Sequence, residues 1–100
     1  MNLLLVTFAL RNPLRDYDPF FVALRGNAQQ WLHYIDSTFV VYTPYSPDEL
    51  IQKLVPYFEP TDSVLIVPVT SPINGWLPPE AWNWITERMN LVAQQKLLPR

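Results

Sequence analysis

The chain opens on an unbroken apolar run, Asn2 to Leu10 (NLLLVTFAL). Continuous rather than alternating hydrophobicity is the mark of a strand covered on both faces, although periodicity alone also admits a helix. We read the run as a central β-strand. Arg11 to Asp18 is polar and predicts a loop. Asp18 before Pro19 predicts a helix start, because the carboxylate can accept from an orphan amide and proline loses nothing at the first helical position. Phe20, Phe21 and Leu24 share a helical face, and Gly26-Asn27 supplies a stop. The helix extends through Gln30 if the glycine is tolerated.

Trp31 to Ile35 and Thr38 to Thr43 are rich in aromatic and β-branched residues, as strands prefer. Asp36-Ser37 between them predicts a hairpin, with a register that this turn type does not specify. Ser46-Pro47-Asp48-Glu49 has the form of a capping box and opens a helix with Leu50, Ile51, Leu54 and Phe58 on one side. Pro56 kinks or ends that helix. Ser63 to Val69 predicts another strand, and Pro68 places it at a sheet edge because proline cannot donate to a ladder.

The order strand, helix, strand, strand, helix, strand is the ferredoxin-like βαββαβ pattern. It predicts an α+β fold with a four-stranded antiparallel sheet, two helices on one face, and the first and third strands central. Thr70 to Pro78 is a turn-rich connector. From Pro79, a stripe of Trp82, Ile85, Met89 and Val92 predicts a C-terminal helix, and Trp84 and Leu91 widen its apolar surface. Gln94 to Arg100 is read as frayed. Residues 1–70 thus form the ferredoxin-like core, and 71–100 a connector and amphipathic helix belonging to the same domain or to its dimer interface.

One hundred residues suit a single domain, and an apolar share of 49% is enough to give it a core. Eleven prolines against two glycines break the chain often, so long helices are expected only in the last quarter. The net charge of −2 argues against a general nucleic-acid binder. There is no cysteine, which removes disulfides and thiolate chemistry and is compatible with a cytoplasmic location. The apolar start lacks a preceding basic region and is too short to span a bilayer, so no membrane association is expected.

The hairpin Trp31-x-His33-Tyr34-x-Asp36-Ser37-Thr38-Phe39-Val40-Val41, the capped helix from Ser46 to Leu50, and Thr61 to Val67 resemble a group of small bacterial proteins. These are the SinR-like proteins, relatives of the CRISPR-associated spacer-acquisition endonuclease subunit and of VapD-type toxins. The resemblance covers residues 1–70. It implies a ferredoxin-like fold and a homodimer formed by sheet edges. For some relatives it also implies metal-dependent cleavage of RNA or DNA. The nuclease relatives carry an aspartate near the end of the first strand, where this chain has Phe8-Ala9-Leu10. Alanine cannot coordinate Mg²⁺, which requires oxygen ligands. Asp16, Asp18 and Asp36 are the remaining carboxylates for such a site, and Asp18 already has a helix-capping role.

Other chemistry is sparse. His33 is the only histidine and lies in a predicted strand without a nucleophile elbow or oxyanion loop, so it reads as structural or surface. No phosphate-binding glycine loop is present. Arg11, Arg15 and Arg25 form a candidate anion patch, partly cancelled by Asp16 and Asp18. Trp76, Trp82, Trp84, Ile85 and Met89 read as core and dimer-interface residues, since the central strands lack the basic-aromatic signature of RNA readers.

Two functions follow. The favoured one is a non-catalytic, homodimeric binding or interaction module without a cofactor. The alternative is a Mg²⁺-dependent endonuclease or toxin.

Overall fold

The apolar run at the start of the chain lies in the middle of a sheet, in a computed structural model that describes residues 1–97. The elements are β1 (Asn2–Ala9), α1 (Asp18–Gly26), β2 (Gln30–Ile35), β3 (Thr38–Thr43), α2 (Pro47–Leu54), β4 (Ser63–Pro68) and α3 (Pro79–Leu97). A short 3₁₀ turn, Val55–Tyr57, follows α2. The sheet order is β2-β3-β1-β4, with antiparallel neighbours throughout. This is the ferredoxin-like α+β fold with an added C-terminal helix. β1 and β3 are central, and the Pro68-bearing strand is an edge.

Alternation along β1 divides its side chains between two cores, which is why the run needs apolar residues at both parities. Leu4 and Val6, with Phe39 and Val41 of β3, pack beneath Phe20 and Leu24 of α1 and Leu50 and Leu54 of α2. Phe8 extends this layer by meeting Phe20 edge-on at 5.3 Å between ring centres. On the opposite face Leu3 and Tyr42 bury Ile85 of α3, with Trp84, Met89 and Val92 packed around them. The C-terminal helix therefore lies across the open sheet face of its own chain.

Several boundaries differ from the sequence reading. The cap of α1 is Tyr17, and Asp18 is its first residue. Asp16 supplies the side-chain acceptor, taking the Asp18 amide at 2.9 Å, because a loop aspartate two residues upstream closes an Asx turn. α1 ends at the expected Gly26-Asn27 stop and is not lengthened to Gln30; Asn27 turns back to the Ala23 carbonyl, and the freed chain joins β2 at Gln30. β4 is bounded at Pro68, one residue early, although the Val69 amide still donates to the Leu3 carbonyl at 2.9 Å. α3 continues through Gln94 to Leu97 instead of fraying; the rest of the stretch expected to fray, 98–100, lies outside the described residues.

The capping box of α2 is complete. Ser46 Oγ accepts from the Glu49 amide at 3.2 Å, and Glu49 Oε1 accepts from the Ser46 amide at 3.0 Å. In the hairpin, Ile35 pairs with Thr38 across Asp36-Ser37, and the ladder shifts by one residue between Leu32 and Ile35. That irregularity lets the consecutive residues Tyr34 and Ile35 reach the same face of the sheet.

Candidate functional site

Two places gather chemistry. The first lies at the end of the sheet where the β1–α1 and α2–β4 loops meet. Asp62, 9% exposed, accepts from the Arg11 amide at 2.7 Å and the Glu59 amide at 2.8 Å. The Tyr17 hydroxyl stands 2.9 Å from both carboxylate oxygens and donates to them. Burial pushes the Asp62 carboxyl up, but the two amides, the Tyr17 hydroxyl and the Arg15 charge together hold it below its ordinary value. Burial and the Asp62 contact in turn raise the Tyr17 phenol, against the amide of Asn12.

The arginines around this centre are occupied. Arg11 donates to the Thr61 carbonyl and to Ser63 Oγ, both at 2.8 Å. Arg15 pairs with Glu59 at 3.4 Å. Arg25 sits in the last turn of α1, where its charge suits the helix dipole. The structure thus sets the Arg11 guanidinium on neutral acceptors of Thr61 and Ser63, pairs Arg15 with Glu59, and leaves Arg25 on α1. The arrangement ties two loops together through charge-assisted hydrogen bonds.

The three aspartates singled out by sequence sit in local turns and helix starts, and of their carboxylates only that of Asp16 has a hydrogen bond among the described residues. Asp16 closes the turn before α1, Asp18 begins that helix, and the Asp36 carbonyl accepts from His33 Nε2 at 3.0 Å. His33 also stacks on Phe39 with ring centres 3.9 Å apart. Among the described residues no three His, Asp or Glu side chains come together as a metal site.

The second place is an apolar groove of about 360 Å³ on the α3 side of the sheet. Its floor is Leu5, Leu32 and Val40, from the three strands β1, β2 and β3. Its walls are the hairpin end, with Tyr34 and Ile35, and the helix–connector side, with Trp82, Ile85, Ile73 and Trp76. The groove exists because α3 covers only part of the sheet. No charged side chain lines it among the described residues. Two of its hydroxyls have partners: Tyr34 donates to Glu80 Oε1 at 3.2 Å, and Thr38 donates to Thr7 Oγ1 at 3.2 Å. Burial and the Glu80 charge push the Tyr34 phenol up.

The five tryptophan, isoleucine and methionine candidates separate here. Trp84, Ile85 and Met89 pack into the chain's own second core, with Trp84 also beneath the Arg88 guanidinium at 4.3 Å. Trp82 lines the groove. Trp76 stands at its rim and is 100% exposed. Sequence reasoning missed Asp62, Tyr17 and Glu59. The signal was modest: an aspartate in a Pro60-to-Ser63 turn before a strand. It also missed the groove, whose lining comes from four strands, the connector and α3.

Among the described residues no helix is long and apolar enough to cross a membrane. Comparison with protein-family models, curated proteins and solved structures finds no match to this chain.

Proposed function

We propose that this chain is a homodimeric, non-catalytic interaction module whose contact surface is the groove and its apolar rim. The observation that carries this reading is the exposure of Trp76 beside Ile73, Val67 and Ile35 around one concavity. Leu65 continues the patch two residues along β4. Burying one such side chain contributes about 1.5–3 kcal/mol, so several together favour association. The β4 edge borders the same patch and carries Leu65 and Val67 without a lysine or glutamate to discourage pairing.

Nucleic acid has no role in this reading. Arg11 and Arg15 are engaged by acceptors of the α2–β4 loop, and the groove is uncharged. Light scattering at tens of micromolar tests the proposal. The expected mass is twice the 11.7 kDa of the chain. A mass of one chain across that range overturns it.

A further inference from the structure

We infer that the homodimer is closed by exchange of Trp76: the indole of each protomer seats in the groove of the other. This rests on the homodimeric reading above and adds to it the residue that enters and the cavity that receives it.

The projecting residue is held in place. Leu77 packs into the second core, and Gly75 is near Trp82, whose indole a Cβ there would meet at an ordinary 3.8 Å. Beside the seated Leu77, Trp76 is fully exposed. The seated Leu77 limits the freedom of the residue before it, so less is lost when Trp76 binds.

The cavity suits what is presented. At about 360 Å³ it has room for an indole, its floor is Leu5, Leu32 and Val40, and it offers no charge that would be stranded by an apolar guest. Thr70 and Asn74 stand at its lining and supply acceptors for the indole N–H.

Knob and hole share one face, and that placement selects the partner. A two-fold axis near the rim puts both indoles into both grooves at once, and such an isologous contact closes at two copies. Each tryptophan buries roughly 200 Å², so two indoles and the lining they cover account for on the order of 800 Å². Ile73, Val67, Leu65 and Ile35 around the rim bring the total into the range of a stable interface, about 1,200–2,000 Å².

The test uses full-length chains and sedimentation equilibrium. Trp76→Ala removes the knob, and Thr38→Phe fills the hole; Thr70→Phe, at an exposed lining position, replaces the latter if its melting curve shows a folding defect. Each variant alone should weaken the dimer by at least about 30-fold, the loss expected for a hot-spot residue. A mixture of the two should form a heterodimer tighter than either homodimer, because one intact knob–hole pair survives only in the mixed species. If the unaltered chain is a monomer, the homodimeric reading itself fails and this inference with it. If it is a dimer that Trp76→Ala leaves unchanged, or if mixing restores nothing, the exchange is overturned while the homodimer stands. Saturable binding of uncharged N-phenyl-1-naphthylamine, one per chain in the intact dimer, overturns it as well, since the groove would then be free.

Discussion

At the scale of single residues, Asp62 shows how one carboxylate can hold a loop junction. Its acceptors are used by two backbone amides and a tyrosine hydroxyl. Removing the carboxylate strands those donors, whose partners are hard to replace inside a packed corner. Asp62→Ala should therefore lower Tm by on the order of 10 °C in a thermal melt. The acid limb follows from the direction of titration. Asp62 and Glu49 both titrate lower in the folded chain than their ordinary values, Glu49 through its hydrogen bonds with Ser46. Their contribution is therefore complete above the unfolded carboxyl value near pH 4 and is lost as pH falls through the lowered folded values. Tm should drop below about pH 4, and Asp62→Asn should flatten that drop. An acid limb unchanged in the variant would assign the loss to other groups. Little of this was legible in sequence, because Asp62 and Tyr17 lie 45 positions apart and meet only through the fold. Asp18 illustrates the converse: Asp-Pro marked the helix start within one residue, while the accepting oxygen came from Asp16.

At the scale of elements, local chemistry was most legible where it is self-contained. The capping box needs only residues 46 and 49, so Ser46-Pro47-Asp48-Glu49 identified the start of α2 and the contacts that stabilise it. Ser46→Ala should cost about 1 kcal/mol, read as a lower urea midpoint with an unchanged slope. An unchanged midpoint would mean that tertiary packing of Leu50 and Leu54 alone holds the helix. Proline also acted locally: Pro47 enters α2, Pro56 falls in the 3₁₀ turn after it, and Pro68 ends an edge strand. The stripe in α3 was legible as apolar periodicity, but its direction was not. Periodicity says that Ile85 and Met89 must be covered, and only the fold shows that Leu3 and Tyr42 of the same chain cover them. The end of α1 at Gly26-Asn27 was legible too, and the conditional lengthening to Gln30 does not occur because Gln30 enters β2.

At the scale of the whole molecule, the sheet has unequal faces. One is sealed by α1 and α2. The other is crossed by a single helix that leaves a groove beside it. The radius of gyration, 14.3 Å, exceeds the roughly 13 Å of an average 100-residue domain, as expected when a long helix is added to one side of a flat sheet. The strand and helix order made the ferredoxin-like fold readable from the sequence. The groove was not readable, since all four strands, the connector and α3 each contribute only one to several residues to it. Trp76 stood out in sequence only as one of four tryptophans, and its exposure separates it from the rest.

The central claim is that this second face is where two copies meet. An isotope-filtered nuclear Overhauser experiment on a mixture of labelled and unlabelled chains tests it most directly. Intermolecular cross-peaks from the Trp76 indole to the methyl groups of Leu5, Leu32 and Val40 are the predicted result. A dimer whose intermolecular cross-peaks come only from the α1 and α2 face, or a sample with none, would contradict the account.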